Sequence, residues 1–156
     1  MIELGVETSH NDTLFLINRN HTWQQATRAI EECAARGFDV GVHLIMGLPG
    51  ETRPMMLETV DRMCQLPVTS LKLHQLQIVR NTTLHHLWED GKIDVELFSL
   101  DDYLDFCVEI LRHIPPHIAV ERFTSSTPAP LLVAPCWGIK NYQFANLLNS
   151  RLKNMD

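Results

Sequence analysis

Two alternating apolar and polar runs in this sequence carry side chains that are able to bind a ligand. The run over residues 2–8 ends near Glu7, and the run over residues 38–46 contains His43. In parallel α/β folds ligands bind where strands end, because loops and helix N-termini converge there. Glu7 alternates with Gly5, so its carboxyl group faces either the same cavity as His43 or the solvent. Periodicity alone leaves both orientations open.

Two further features each have a structural and a functional interpretation. The segment Gly47–Thr52 reads GLPGET, and its two glycines are typical of a tight turn at the end of a strand. It lacks the Lys-Ser/Thr of a P-loop, so the motif does not indicate phosphate binding. Arg19 follows a short apolar helix, where it is either a helix C-terminal cation or a fork of N–H donors for a ligand carboxylate.

Histidine and cysteine are the residue types most often used to hold metals. The eight histidines form no HxH or HExxH motif, but His43 and His74 lie on predicted strands and converge if those strands are neighbours. A histidine-based metallohydrolase that binds zinc or manganese is therefore one hypothesis. The four cysteines form no CxxC pair and are interpreted as buried thiols of a reducing compartment.

Composition narrows the class of protein. The chain has 156 residues, 45% of them hydrophobic, and a formal net charge of −6. That length suits one domain with an ordinary core that needs no disulfides. The acidic balance argues against nucleic acid held by a bulk positive field but allows a local basic pocket, so a nucleic acid such as tRNA is possible as a partner but not indicated. The first residues lack a signal-peptide pattern, no apolar run is long enough for a membrane span, and we expect a cytoplasmic protein.

The elements that must position these residues follow from hydrophobic periodicity. Strands are predicted over residues 2–8, 38–46, 70–79 and 117–123, with helices between them. Asn11 or Asp12 is expected to cap the first helix, and Thr22, Thr52 or Ser99 the later ones. The order β, α, α, β, α, β, α, α, β predicts an α/β fold with a parallel sheet, either doubly wound or part of a β/α barrel. Residues 125–130 read as a linker, and a helix over residues 142–153 is expected to pack outside the sheet.

Several segments, in this order and spacing, resemble radical S-adenosylmethionine (SAM) enzymes. They are LGVET at 4–8, INRNH at 17–21, GF at 37–38, HLIMGLPGET at 43–52 and KLHQLQI at 72–78, with RFT at 122–124 and LLVAP at 131–135 in the tail. The chain is similar to the group that contains oxygen-independent coproporphyrinogen dehydrogenase and the catalytic subunit of Elongator, and to an uncharacterised bacterial family within it. The resemblance implies the C-terminal half of a (β/α)6 barrel over residues 1–124, with residues 125–156 as an extension packed on the barrel.

The resemblance also implies which residues bind SAM. Glu7 stands where family members place a Gln or Glu that hydrogen-bonds SAM, and Arg19 matches the arginine that pairs with its methionine carboxylate. His43 takes a position that is often Asp in relatives and that reaches the ribose or the amino-acid part.

Three apolar or small residues complete the site that the resemblance implies. Ile45 and Gly47 match the strand beside the adenine, and Ile78 is expected to cover the adenine from the next strand. The second cofactor is a [4Fe–4S] cluster, which reduces SAM to a 5′-deoxyadenosyl radical that abstracts hydrogen from substrate.

The cluster-binding Cys-x3-Cys-x2-Cys loop of the family has no counterpart in this sequence. We therefore expect this chain to be a C-terminal half whose cluster ligands lie outside it, and to be inactive alone. Its expected partners are SAM, a substrate, and either the missing N-terminal half or a second copy. The alternative hypothesis is a non-catalytic interaction module that pairs through the open edge of its sheet.

Overall fold

The computed structural model describes residues 1–154 as one parallel sheet with helices and a small second sheet. The strands and helices are β1 (Ile2–Glu7), α1 (Asn11–Leu16), α2 (Trp23–Ala35), β2 (Val40–Met46), α3 (Arg53–Cys64), β3 (Ser70–Gln75), β4 (Ile78–Val79), α4 (Thr83–Glu89), α5 (Leu100–His113), β5 (Ala119–Arg122), β6 (Leu132–Ala134) and α6 (Asn141–Lys153). The main sheet has the order β1-β2-β3-β5, and all three of its pairings are parallel. The predicted α/β class with a parallel sheet and helical crossovers is confirmed.

The core lies on one side of the main sheet, between the strands and the helices. Val42, Leu44, Leu71 and Leu73 are completely buried there, because successive side chains of a strand point to opposite faces and these four share one face. Helices α2, α3 and α5 add Ile30, Val60 and Phe106, among others, to the same core. The first three main strands therefore present their remaining side chains on the opposite face.

Most predicted helix starts are confirmed by side-chain caps. The hydroxyl groups of Thr22, Thr52 and Ser99 each accept a hydrogen bond from a backbone N–H in the first turn of their helix. The prediction for α1 was wrong: its N-cap is His10, whose side chain makes no capping bond. The Asn11 side-chain oxygen instead accepts from the Trp23 backbone N–H at 2.8 Å, so it links α1 to α2.

The predicted strand over residues 70–79 is two strands. The chain leaves the main sheet after Gln75, and Ile78–Val79 pairs antiparallel with Leu132–Ala134. The alternation changes phase at this point, because the apolar residues stand at 71 and 73 before the break and at 76 and 78 after it. The prediction of a single strand overlooked this local signal. The sequence does not identify residues 132–134 as the new partner, because pairing between distant segments leaves no local pattern.

The C-terminal helix α6 lies against α5 and the end of β5. Its buried Phe144 has its ring centroid 5.5 Å from Tyr103 and 6.5 Å from Phe123. Phe144 and Leu148 of α6 thereby join the main core beside α5. The proposed boundary at residue 124 stays a prediction.

The cysteines are less buried than expected. Cys107 is buried, Cys33 and Cys64 are half-buried, and Cys136 is exposed in the loop after β6. The interpretation of all four as buried thiols was therefore wrong, since residues 125–140 hold little core and Cys136 has no layer above it to cover it. The longest helix, α5, has 14 residues, and within residues 1–154 none is long and apolar enough to cross a membrane.

Candidate ligand-binding face

The sheet face opposite the core carries polar side chains that remain partly exposed. Glu3 of β1, His43 of β2, and Lys72 and His74 of β3 lie on this face, which we call the open face. The parallel register sets Gly5 beside His43 and His43 beside Lys72. Four chemically active side chains from three strands are thereby brought within reach of one another.

An open cavity of about 580 Å³ lies on the open face and extends to the carboxyl ends of the strands. Glu7, His43 and Ile45 line it, so the structure brings three of the predicted site residues together. His74 and Gln75 of β3 line the opposite side. The cavity lies where parallel α/β folds place their ligands.

Arg19 lies at the β1 end of this cavity. Its Nη2 donates a hydrogen bond to the Gly5 carbonyl at 2.8 Å and lies 3.3 Å from Oε1 of Glu7. Glu7 adopts a positive φ of 68°, and the register with β2 shifts between Gly5 and Glu7. Because of this irregularity, the Glu7 carboxylate turns towards Arg19 and the cavity. Burial raises the pKa of Glu7 above its usual range, against the opposing charge of Arg19.

The close approach of Arg19 and Glu7 to β1 uses the space that Gly5 leaves by lacking a side chain. Apart from the glycine itself, nothing in the sequence indicates this role. A Cβ at this position would lie 2.8 Å from Oε1 of Glu7 and 3.2 Å from Nη2 of Arg19. Any larger residue would therefore push the ion pair away from the strand. Gly5 is therefore part of the site, because the two charged side chains occupy the space where its side chain would lie.

The open face also carries a hydrogen-bonded row of titratable groups. Nε2 of His43 lies 3.0 Å from Oε2 of Glu3, and Nδ1 of His43 lies 3.1 Å from Nε2 of His74. Lys72 pairs with Glu3 and, at 3.5 Å, with Glu121. The predicted convergence of His43 and His74 is confirmed, but the two rings bond to each other.

Gly47 and Ile78 are not brought into the same cavity. Gly47 has a φ of 89°, and a Cβ there would lie 3.3 Å from Cε2 of Phe98, next to a separate cavity of about 300 Å³. The side chain of Ile78 is completely buried, and the neighbouring Val79 lines the open-face cavity instead. That Gly47 and Ile78 contact the adenine of SAM stays a prediction.

Two hydrogen-bonded pairs beside the cavity are absent from the sequence-based prediction. Oε1 of Gln75 accepts from the Ser125 backbone N–H at 2.7 Å, and Thr127 donates to Oε1 of Gln77 at 2.6 Å. Residues 125–127, expected to be linker, therefore form one wall of the cavity. The only sequence signal was their polarity, which is equally typical of an exposed loop.

A buried polar cluster holds the loops after β1 and β2 together. The hydroxyl of Thr8 donates to Oε1 of Glu51 and lies 3.3 Å from Oγ1 of Thr59, which in turn lies 3.0 Å from Oγ of Ser9. Burial raises the pKa of Glu51, although the hydroxyl donors oppose that shift. These bonds fix the GLPGET loop against the residues that follow Glu7.

The clearest grouping of metal-ligand atoms in residues 1–154 is on α4, away from the open face. Ligand atoms of His85, His86 and Glu89 lie within 4.8 Å of one another. Nδ1 of His85 accepts the Asn81 backbone N–H at 3.2 Å, which places the ring proton on Nε2, and Nε2 lies 3.3 Å from Glu89. Metal coordination through Nε2 would move the ring proton to Nδ1 and cost the ring its hydrogen bond from Asn81 and its contact with Glu89.

Two family models match the chain in succession. The Radical SAM superfamily model matches residues 1–63, and the Radical SAM C-terminal domain model matches residues 68–154. The boundary between the two matches lies between α3 and β3, inside the main sheet.

Several proteins and one solved structure are similar to the chain. It is 34% identical to the uncharacterized protein YtqA of Bacillus subtilis over 98% of this chain and 47% of that protein, and 38% identical to YhcC of Escherichia coli K12 over 87% and 43%. It is 26% identical to human Elongator complex protein 3 over 99% of this chain and 28% of that protein. The archaeal Methanocaldococcus infernus Elp3, 20% identical, has the same fold, with a TM-score of 0.83 over 98% of this chain and 35% of that one. The chain thus spans less than half the length of each of these relatives.

Proposed function

The chain belongs to the radical SAM superfamily, and we propose that its open face binds S-adenosylmethionine as one half of a radical SAM active site. The observation that carries the proposal is the position of Arg19 beside Glu7 and the Gly5 carbonyl, at the carboxyl end of β1 and next to the cavity. The other half of the site, including the cluster ligands, would come from outside residues 1–154.

The side chains in the cavity suit the chemistry of SAM. The planar guanidinium of Arg19 is partly exposed and offers paired N–H donors for the methionine carboxylate. The Glu7 carboxylate accepts hydrogen bonds, as the α-ammonium group requires, and the half-buried Ile45 offers an apolar surface to the adenine. Both ring nitrogens of His43 are already engaged, so contact with the ribose would replace one of its present partners.

The chain's own cysteines do not fit an iron–sulfur cluster. In radical SAM enzymes the cluster supplies the electron that converts SAM to a 5′-deoxyadenosyl radical, and three thiolates hold it. Here the cysteines lie on α2, α3, α5 and the loop after β6. Burial raises the pKa of Cys64 to about 11 and that of Cys107 to about 12, so these two remain thiols at neutral pH. In this proposal the chain binds and orients SAM and does not reduce it.

Calorimetric titration of the chain with SAM, compared between two arginine variants, tests the proposal. We expect Arg19→Gln to weaken SAM binding at least about 10-fold, because a charge-assisted bond to a carboxylate contributes about 1.5–3 kcal/mol. Arg28→Gln is the matched control and should leave the affinity unchanged, since Arg28 pairs with Glu32 on the exposed side of α2.

Two results would contradict the proposal. One is that millimolar SAM moves no amide NMR signals of Gly5, Glu7, Ile45 or Gln75. The other is that the Arg19 and Arg28 variants bind SAM equally well. In either case the open face would not be the SAM site, whatever the family of the chain.

Pairing through a sheet edge is a second proposed role, favoured by the strand order. β1 and β5 are the outer strands of the main sheet, and Phe15, which follows β1 on α1, is 87% exposed. Unpaired edge strands favour association with another strand. Light scattering over a range of concentrations tests this role, and a strictly monomeric chain would count against self-association.

A further inference from the structure

Glu3, His43 and His74 form a continuous hydrogen-bonded line across three strands of the open face. The two links are 3.0 Å, from Glu3 to Nε2 of His43, and 3.1 Å, from Nδ1 of His43 to Nε2 of His74. The side chain of Glu3 is 39% exposed, whereas burial of His74 is strong enough to change its titration. His74 lines the cavity, and its Nδ1 makes no hydrogen bond to any residue in the described part of the chain.

The chemistry of the three groups determines where the protons lie. A carboxylate only accepts hydrogen bonds, so Nε2 of His43 must carry a proton towards Glu3. When His43 is neutral, its Nδ1 is an acceptor, and His74 must donate from Nε2. Nδ1 of His74 is then an unprotonated lone pair beside the cavity.

We propose that Glu3, His43 and His74 form a relay that accepts a proton from a ligand in the cavity and stores it on His43. The X–H bond of the ligand breaks as Nδ1 of His74 gains the proton, and the proton on Nε2 of His74 passes to Nδ1 of His43. No electron is transferred. The result is a His43 imidazolium between the Glu3 carboxylate and a neutral His74. That the ligand is the substrate of a radical SAM reaction rests on the function proposed above.

The surrounding charges favour storage on His43 rather than on His74. The groups that face His74 are His43 of β2, Lys72 of its own strand and Arg122 of β5, and all three oppose a positive charge on it. Together with burial, which is the largest cause, they lower the pKa of His74 to about 4. His43, in contrast, faces two carboxylates, those of Glu3 and Glu7, against the cation of Lys72, its neighbour on β3, and the ring of His74.

Nitrogen-15 NMR of the histidine rings tests the relay on the chain alone, without SAM or a cluster. As the pH is lowered towards 5, the relay predicts that the proton taken up by the line lies on His43, with both of its ring nitrogens protonated. Over the same interval His74 should stay neutral but change tautomer, from Nε2–H to Nδ1–H. If protonation of His43 instead broke the hydrogen bond between the two rings, His74 would keep its tautomer.

Two variants separate the relay from nonspecific effects. Glu3→Gln keeps an acceptor but removes the negative charge beside His43, so the tautomer change of His74 should move to lower pH. His117→Gln, at an exposed position before β5, should leave the change where it is in the unmodified chain.

The relay would be overturned if His74 kept one tautomer while His43 titrated, or if His74 itself took the positive charge. Glu3→Gln without any shift would also overturn it. Because these signals are read in the absence of SAM, failure of the relay can be distinguished from failure of the proposed SAM site.

Discussion

The two faces of the main sheet differ in burial, although the same strands form both. On the face covered by helices, Leu44 and Leu73 are completely buried and belong to one apolar core. One residue away in each strand, on the open face, Ile45 and His74 line a cavity. Alternation along a strand therefore separates the residues that stabilise the fold from those that can contact a ligand.

This separation predicts different responses to substitution on the two faces. A buried side chain loses transfer free energy and leaves a cavity when it is truncated. An exposed charged group contributes little to stability, because solvent screens its ion pairs, but it retains its effect on pH dependence and binding. Variants at neighbouring positions can measure the contrast directly.

Leu44→Ala and Ile45→Ala should show the largest difference in the free energy of unfolding. We expect Leu44→Ala to lower the free energy of unfolding by about 2–5 kcal/mol, as is usual for a fully buried leucine. Ile45→Ala should cost less than about 2 kcal/mol, since part of its surface already contacts solvent. Urea titration followed by circular dichroism measures both, and equal losses would mean that the open face is as much a part of the core as the covered one.

Gly47→Ala should have the next largest effect, at the point where β2 leaves the sheet. Its φ of 89° is strained for alanine, and the new methyl group would meet the Phe98 ring. We expect a loss of about 2–3 kcal/mol. Gly50→Ala is the matched control, because it has a φ of 81° but nothing within 4 Å of the added Cβ, and strain alone costs about 1–2 kcal/mol. Indistinguishable thermal midpoints for the two variants would show that contact with Phe98 does not constrain the loop.

The stability of the fold should depend on pH through the titration of His74. Its pKa is lowered to about 4 in the folded chain, while an unfolded histidine titrates near 6.5. The unfolded state therefore binds more protons between these values, and stability that is complete above pH 6.5 falls as the pH falls towards 4. Because His74 is half-exposed, solvent screening reduces the effect of its lowered pKa on the free energy of unfolding. We expect a loss of about 1–2 kcal/mol.

His74→Gln, studied by urea titration at pH 7 and pH 5, isolates this loss. Glu7 and Glu51 have raised pKa values, so their contribution changes in the opposite direction and increases as the pH falls towards 4.5. The difference between the unmodified chain and the variant removes these shared contributions. If the variant lost as much stability on acidification as the unmodified chain, the burial of a neutral His74 would be contradicted.

Lys72→Gln should have the smallest effect on stability. Lys72 pairs with Glu3 and Glu121 on the open face, where water screens both pairs. We expect the urea midpoint to change less than for Ile45→Ala, and the difference between the variant and the unmodified chain to shrink in added salt. A large loss, of the size expected for Leu44→Ala, would show that the charged row holds the sheet together.

Local signals in the sequence predicted much of the fold. Alternation identified the four strands of the main sheet, and the hydroxyl caps at Thr22, Thr52 and Ser99 marked helix starts correctly. These signals work because periodicity and capping involve residues within one turn or one strand. Where a side chain found a distant partner instead, as Asn11 did with Trp23, the local rule failed.

The candidate site was predictable only in part. Glu7, His43 and Ile45 were expected to lie together and do line one cavity. Arg19, Gly47 and Ile78 lie outside its lining, although Arg19 contacts Gly5 and Glu7, which line it. The roles of Gly5 and of residues 125–127 were missed. The role of Gly5 depends on Arg19 reaching back to β1 across 14 residues, and that of residues 125–127 on the bonds from Ser125 to Gln75 across 50 residues.

The sequence by itself determined the parallel α/β architecture and the residues that lie at strand ends. Both follow from patterns of hydrophobicity and capping among a few neighbouring residues. The tertiary structure alone decided which titratable groups meet. Glu3 and His43 are 40 residues apart in the chain, and His43 and His74 are 31 apart. They come together because parallel register places their strands side by side, and that register is set by burial of the opposite, apolar face.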